Sequence, residues 1–166
     1  MIVLGIDPGS AKLGYAFLKK NNDQVECLDA GTLVFPKVAL SKKLFLLYKK
    51  LDQLMSQYPL EALAIESIFT HKNVQSSFVL GHIRGVCMMM GEKFEAPAFE
   101  YAPKKIKKLV TGSGSAPKTQ VAMSLSSLLC MPEVEQAQYS DTTDAIAVAW
   151  THLMSQRSFE ASLQEL

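Results

Sequence analysis

Four acidic residues occupy positions from which they could do chemistry together. Asp7 follows the apolar run MIVLGI, and Glu66 follows the apolar run ALAI. An acid at the end of a buried strand is costly to desolvate unless a proton, a hydrogen bond or a metal ion compensates it. Asp141 and Asp144 lie three residues apart at the predicted start of a helix, so they project from one side of its first turn. Carboxylates gathered in this way are suited to hard divalent cations.

A pair of divalent ions explains these acids better than local structure does. Two Mg²⁺ ions about 3.5 to 4 Å apart can activate a water and stabilise the leaving oxygen in phosphodiester hydrolysis. Asp141 alone could cap the last helix, and Asp144 alone could complement its dipole. Neither role accounts for Asp7 and Glu66, which would repel each other on neighbouring strands without a cation. We therefore predict two Mg²⁺ ions per site, with Mn²⁺ as a possible substitute.

A basic segment without acids is the second chemical feature. It runs from Tyr101 to Pro132 and contains Lys104, Lys105, Lys107, Lys108 and Lys118. These lysines give a local charge of +5 on a chain whose net charge is only +1. Such an excess is typical of a surface that binds phosphates, although a solvated helix face is the structural alternative.

Hydrophobic periodicity predicts the elements that position these residues. The stretches MIVLGID, KLGYAFLKK and VECLDAGTLVF predict three strands, with a hairpin turn at NND. Leucines spaced by three and four between Leu40 and Leu54 predict an amphipathic helix that ends before Pro59. The strand EALAIES follows, and the helical crossover places it parallel to the first strand. Asp7 and Glu66 are therefore expected at the same edge of the sheet.

The rest of the chain completes an α/β architecture. A helix from about Val74 to Met90 is followed by the strand APAFEY, a basic helix from Pro103, the loop TGSGSAPK and a helix near Thr119 to Cys130. The last helix begins at SDTTD. This order predicts an RNase H-like mixed five-stranded sheet flanked by helices. We expect one nuclease domain over residues 1–156 and a flexible tail over residues 157–166.

Composition limits the class of protein. The 166 residues are 48% hydrophobic and 20% charged, as expected for one globular domain. No basic leader and no run of about 18 apolar residues is present, so we expect a soluble, cytoplasmic protein without a membrane span. Cys27, Cys87 and Cys130 are interpreted as reduced, packed thiols, since their number and spacing fit neither a disulfide framework nor a zinc site.

Four stretches resemble RuvC-type Holliday junction resolvases, and the resemblance extends from Met1 to about Leu153. The stretches are GIDPGSAKLGYAF, IESIFTHKNVQSSFVLGHIRGV, YAPKKIKKLVTGSGSAPKTQV and DTTDAIAVAWTH. The resemblance implies a homodimer that binds four-way DNA junctions and nicks two strands of like polarity symmetrically. It also implies that the protein acts in recombination and repair, together with a branch-migration motor of the RuvA and RuvB type.

The resemblance assigns roles to individual residues. The metal ligands it implies are Asp7, Glu66, Asp141 and Asp144. Lys118 and Lys107 match two basic residues of the family. We assign Lys118 to stabilising charge on the scissile phosphate and Lys107 to holding the DNA backbone. Phe69 matches an aromatic residue placed against unstacked bases near the branch point, with a loop-edge core role as the alternative. The remaining lysines expected to contact DNA are Lys104, Lys105 and Lys108.

Some positions depart from the family pattern without removing a ligand. They are Ser77, His82 and the pair Thr142 and Thr143. His71 and His82 are interpreted as surface or structural histidines rather than as metal ligands or bases. These departures affect the preferred cleavage sequence more than the catalysis.

The apolar stripe of the second long helix has two interpretations. Its members are Phe78, Val79, Ile83, Val86 and Met90, with Met88 and Met89 beside its end. It could form dimer contacts or pack in the core of one chain.

Other functions remain open from sequence. A protein of this fold could bind junctions as a scaffold without cutting them, and only activity separates that case from a nuclease. An RNase H that acts on hybrids is disfavoured by the basic segment before the last helix. An actin-like ATP-binding protein would use DPGS as a phosphate turn, but its second lobe does not fit within 166 residues.

Overall fold

A computed structural model describes residues 1–22, 24–67, 74–131 and 141–164, with side chains described to residue 156 except at position 74. The strands are β1 (Ile2–Pro8), β2 (Lys12–Asn21), β3 (Gln24–Val34), β4 (Ala62–Glu66) and β5 (Ala98–Tyr101). The helices are α1 (Leu40–Met55), α2 (Val74–Lys93), α3 (Pro103–Thr111), α4 (Lys118–Leu129) and α5 (Asp141–Gln164).

The strands form one mixed sheet in the order β3-β2-β1-β4-β5. The first three strands are antiparallel neighbours, whereas β4 is parallel to both β1 and β5. Ile6 pairs with Ile65, so the next residues of the two strands, Asp7 and Glu66, leave the sheet side by side. The predicted five-stranded sheet and its parallel β1–β4 pair are confirmed.

Alternation along β1 decides which layer each side chain joins. Leu4 and Ile6 face the layer formed with α1 and α2, whereas Val3 faces the layer formed with α3, α4 and α5. Because side chains alternate with a period of two, Asp7 belongs to the same face as Val3. The strand thus directs its terminal acid toward α5, the helix that carries the other two acids.

The close approach of α5 to the sheet depends on two glycines. A Cβ atom on Gly5 would lie 2.3 Å from the carbonyl oxygen of Ala145, and one on Gly14 would lie 1.9 Å from that of Asp141. Only glycine permits backbone contact at this distance. The hydroxyl oxygens of Thr32 and Thr142 are 2.8 Å apart and join β3 to the first turn of α5.

Several boundaries differ from the sequence-based expectations. The helix α2 continues to Lys93, three residues beyond the expected end, and α5 is helical to Gln164. The flexibility of residues 157–166 stays a prediction. The polar connection expected from Met131 to Tyr139 lies, apart from Met131, outside the described residues. Within the described ranges, none of the helices combines the length and the apolar character that a membrane crossing requires.

The three cysteines are free thiols, as predicted. Cys87 is buried and Cys27 is half-buried. Cys130 is exposed, which corrects the expectation that it is packed, because at the end of α4 its neighbour Leu129 faces the core instead.

Candidate active site

A cavity of about 280 Å³ lies at the carboxyl edge of the sheet, where Asp7 and Glu66 emerge. The ends of β1 and β4 supply its acids, and α3, α4 and α5 supply the rest of its wall. The lining residues are Asp7, Glu66, Pro103, Ile106, Lys107, Lys118, Val121, Asp144 and Ala147. The structure therefore brings three of the predicted acids to one cavity, together with the predicted catalytic lysine, Lys118, and one predicted DNA-binding lysine, Lys107.

The two strand-end acids are held together as a coupled pair. Burial, reinforced by the charges of Glu66 and Asp144, raises the pKa of the Asp7 carboxyl to about 8. Burial also raises the pKa of Glu66, although its hydrogen bond with Asp7 and the nearby lysines oppose that rise. Two carboxyl groups can hydrogen-bond to each other only when one carries a proton. The pair therefore keeps a proton at neutral pH when no cation replaces it.

The helix acids occupy different places relative to this pair. Asp144 lines the cavity and its charge raises the pKa values of both strand-end acids. Asp141, one turn earlier on α5, is half-buried, and its charge raises the pKa of Asp7 less than the charges of Glu66 and Asp144 do. It stands at the rim, outside the lining residues.

Lys118 is paired with one of the acids. Its Nζ lies 2.5 Å from Oδ2 of Asp144. Burial alone would lower the pKa of Lys118, but the hydrogen bond with Asp144 and the charges of Asp144, Asp7 and Glu66 outweigh that effect and raise it. The side chain is therefore a permanent cation inside an acidic cavity.

Lys107 approaches the cavity from the half-buried side of α3. It lines the cavity, and its charge lowers the pKa of Glu66. Ile106 and Val110 on the same helix are buried in the core, and Ile106 also lines the cavity. A Pro residue at the start of α3 and Gly112 in a left-handed conformation at its end fix where the helix begins and stops.

The donor set fits hard divalent cations. All four acids offer carboxylate oxygens, and their four negative charges exceed the three positive charges of the shared proton, Lys107 and Lys118. Among the described residues, no group of three or more His, Cys, Asp or Glu is arranged as a complete ligand set. Asp7 and Glu66 are joined by a hydrogen bond, and Asp144 is paired with Lys118. For Asp7, Glu66 and Asp144 to hold a cation together, the shared proton would have to leave and Lys118 would have to release Asp144.

The other predicted residues lie away from the cavity or outside the described chain. Lys104, Lys105 and Lys108 are exposed on the outer face of α3, where Nζ of Lys105 is 5.0 Å from the centre of the Tyr101 ring. His82 is exposed on α2, with Nδ1 2.6 Å from the carbonyl oxygen of Phe78. Phe69 and His71 lie outside the described residues.

Sequence reasoning missed the residues that position the acids. Gly14 and Gly5 seat α5, and a glycine inside a strand pattern is the signal that could have revealed them. Ser67 fixes the chain after Glu66, because its backbone N–H and its hydroxyl both donate to the carbonyl oxygen of Tyr101, at 2.9 and 3.2 Å. The Tyr101 hydroxyl is 2.8 Å from Nδ1 of His152, which is buried. Burial lowers the pKa of His152 to about 4. That pair ties β5 to α5.

The raised pKa of Asp7 predicts how stability depends on pH in metal-free protein. The native carboxyl binds its proton up to about pH 8, whereas the unfolded one releases it near 3.8. The free energy of unfolding should therefore fall as pH rises between these values, by up to about 6 kcal/mol at about 1.36 kcal/mol per pKa unit. Urea unfolding in EDTA at pH 5, 7 and 9, followed by the fluorescence of Trp150, measures this.

Two substitutions that each remove one carboxylate, a test variant and a control, check this prediction. Asp7→Asn should flatten the fall, whereas Glu92→Gln, at an exposed position on α2, should preserve it. An equal fall in the wild type and in Asp7→Asn would contradict the prediction.

The sheet order, together with strand-end and helix acids beside lysines at one edge, defines an RNase H-like nuclease. Residues 3–152 match the RuvC family, described as crossover junction endodeoxyribonuclease RuvC. Curated proteins of that name include one from Alkaliphilus oremlandii, 35% identical over 92% of each chain. Another, from Legionella pneumophila, is 38% identical over 91% of this chain and 86% of its own. This chain belongs to the RuvC family of crossover junction endodeoxyribonucleases.

Solved structures show the same fold. The structure of T. thermophilus RuvC in complex with a Holliday junction substrate aligns with a TM-score of 0.87 at 24% identity, over 95% of this chain and 96% of that chain. The yeast mitochondrial Holliday junction resolvase Ydc2 aligns with a TM-score of 0.68 at 16% identity, over 97% of this chain and 83% of that chain. The predicted family and fold are confirmed.

Proposed function

We propose that this chain, as a homodimer, resolves four-way DNA junctions by nicking two strands of like polarity symmetrically, using Mg²⁺ held by its acids. The proposed ligands are Asp7, Glu66, Asp141 and Asp144. The observation that carries the proposal is the convergence of strand acids, helix acid and lysines in the cavity at the sheet edge. Family membership supports the substrate, and the carboxylate donor set supports the hard cation.

Each part of the cavity has a separate task. Bound Mg²⁺ supplies Lewis-acid activation of the attacking water and of the leaving oxygen. Asp7 and Glu66 present oxygens from rigid strand ends, which keeps them fixed while charge develops at the phosphate. Asp144 and Asp141 add carboxylate oxygens from the first turn of α5.

The lysines act on the phosphate itself. Lys118 already stands 2.5 Å from Asp144 and points into the cavity, so when a cation takes that carboxylate the ammonium group is available to a phosphate oxygen. Lys107 holds the backbone beside the cut. The exposed lysines of α3 extend this contact away from the cavity, and they are Lys104, Lys105 and Lys108. Because such contacts go to phosphates, affinity should fall steeply with salt.

The exposed face of α2 is the proposed dimer contact. Most of the predicted apolar stripe packs in the core of one chain: Ile83 and Met90 are fully buried, and Val79 and Val86 pack against the same core cluster. Phe78 and Met89 instead remain 65% and 52% exposed, with Met88 partly exposed beside them.

Two glycines lie on this exposed face between the apolar side chains. Cβ atoms on Gly81 and Gly85 would meet nothing within 4 Å, and the four-residue spacing places both glycines on one side of the helix. Small residues at this spacing let a second helix approach closely. Two active sites related by two-fold symmetry are what paired nicks require.

A charged side chain on this face should separate the dimer. Gly85→Glu is expected to raise the dimer dissociation constant by at least about 100-fold, because it buries an unpaired charge at the contact. Light scattering after size-exclusion chromatography measures this, and junction nicks should become single rather than paired. Met123→Glu, at an exposed position on α4, is the matched control and should stay dimeric. A dimeric Gly85→Glu protein with paired nicks would contradict the assignment.

The test of the function is cleavage of a mobile four-way junction with Mg²⁺, with Mn²⁺ and without metal, beside linear duplex and an RNA–DNA hybrid of the same sequence. Paired, symmetric nicks confined to the junction and dependent on metal support the proposal. Tight junction binding without cuts in either metal would indicate a scaffold, and cutting of the hybrid alone would indicate an RNase H. We also infer a cytoplasmic location and a branch-migration partner of the RuvA and RuvB type.

A further inference from the structure

A second acid-free basic segment lies outside the proposed catalytic cavity. From Ala30 to Leu51 the sequence contains no Asp or Glu, and its five lysines are Lys37, Lys42, Lys43, Lys49 and Lys50. This segment carries as many lysines as the segment around α3 and α4. None of the roles assigned above uses it.

The fold starts this segment at the catalytic edge of the sheet. Two antiparallel steps separate β3 from β1, so β3 runs parallel to β1 and ends at the edge where Asp7 emerges. The helix α1 begins there and runs back along the sheet. Nζ of Lys43 donates a hydrogen bond to the carbonyl oxygen of Ser10, at 2.7 Å, and so joins the start of α1 to the loop that follows Asp7.

Two lysines of α1 lie on its outer face. Leu47, Leu51 and Met55 are buried against the sheet, whereas Lys42 and Lys49 are exposed on the opposite side of the helix. These two lysines are seven residues apart, which is two turns and about 10 Å along the axis. That length corresponds to about three base-pair rises of duplex DNA.

The charge of this face is not compensated by nearby acids. Among the described residues, Lys37, Lys42, Lys49 and Lys50 have no carboxylate within ion-pair distance. The ammonium group of Lys49 lies 5.9 Å from the centre of the Phe45 ring, whose side chain is 60% exposed. A positive face that ends beside an exposed aromatic ring is complementary to a polyanion.

The two basic surfaces lie on opposite faces of one sheet and share its catalytic edge. The helix α3 packs in the layer with α5, and α1 packs in the other layer. Resting on the proposed function, we infer that the outer face of α1 binds the phosphate backbone of a junction arm that continues past the cut site. The first basic surface holds the strand that is cut, and the α1 face holds DNA beyond it.

The experiment compares two double substitutions that remove the same charge. Lys42→Gln with Lys49→Gln neutralises the α1 face, and Lys19→Gln with Lys20→Gln neutralises β2 at the end of the sheet away from Asp7. Junction affinity is measured in EDTA over a series of salt concentrations. Loss of two phosphate contacts should reduce the slope of log affinity against log salt by about 2 and weaken binding about tenfold at low salt. The β2 pair should leave both unchanged.

A third protein separates charge from packing. Lys42→Arg with Lys49→Arg should retain the wild-type slope, because the backbone contact needs only a cation. Equal effects of the α1 and β2 pairs, or no effect of the α1 pair, would overturn the inference while leaving the proposed function intact. A wild-type protein that does not bind junctions would overturn the proposed function, and this inference with it.

Discussion

Replacing Asp7 by asparagine removes junction nicking, by about 1,000-fold or more, while junction affinity in EDTA stays within a factor of about three. The amide cannot supply the anionic oxygen that a divalent cation needs, and no other acid extends from β1 at the sheet edge. Removing negative charge beside a bound phosphate does not weaken backbone contacts. Single-turnover cleavage and equilibrium binding of the same junction measure the two effects separately.

The control for this substitution is Glu26→Gln on β3. That acid is exposed and lies in register with Lys19, at the end of the sheet away from Asp7, so its loss should change neither nicking nor binding. Combined loss of nicking and binding in Asp7→Asn would indicate an unfolded site rather than a missing ligand. Nicking at the wild-type rate would remove Asp7 from the proposed ligands.

Replacing Gly14 by alanine slows nicking by about 100-fold, because displacement of a catalytic group by about 1 Å has an effect of that size. The added Cβ would lie 1.9 Å from the backbone carbonyl of Asp141, and a backbone obstacle cannot rotate away. The first turn of α5 must therefore move, and Asp141 and Asp144 move with it. Single-turnover cleavage over a range of Mg²⁺ concentrations measures the loss.

The same substitution in the neighbouring strand is the matched control. The three atoms nearest to a Cβ atom on Gly31 all belong to the side chain of Tyr15, the closest at 2.8 Å, and a side chain can shift where a backbone cannot. Gly31→Ala should therefore nick at close to the wild-type rate. Retained junction binding and a native circular dichroism spectrum establish that Gly14→Ala is folded. Wild-type nicking by that protein would show that α5 is not seated by this contact.

The sequence predicts the half of the site that depends only on strands and the segments that connect them. Asp7 and Glu66 each end an apolar strand, and one helical crossover is enough to place those strands parallel. The sheet order follows from the same run of elements. No distant contact has to be known for these two acids to meet.

The remaining features depend on packing between distant segments. The pairing of Lys118 with Asp144 requires α4 and α5 to face the same cavity, and the role of Gly14 requires α5 to lie on β2. The sequence also left open which apolar residues of α2 are buried and which are exposed. Apolar residues occur on more than one side of this helix, so periodicity alone does not separate Ile83 in the core from Phe78 outside it.

The glycine contacts beneath α5 also bear on how such a protein can diversify. Backbone touches backbone at Gly5 and Gly14, so the spacing between the backbones that carry the strand acid and the helix acids does not depend on the packing of side chains between them. Lysines on the outer faces of α1 and α3 can then be gained or lost without shifting the proposed metal ligands. With the DNA-binding roles proposed for these lysines, a lineage can alter which DNA shapes it prefers, and how tightly it holds them, while its chemistry remains constant.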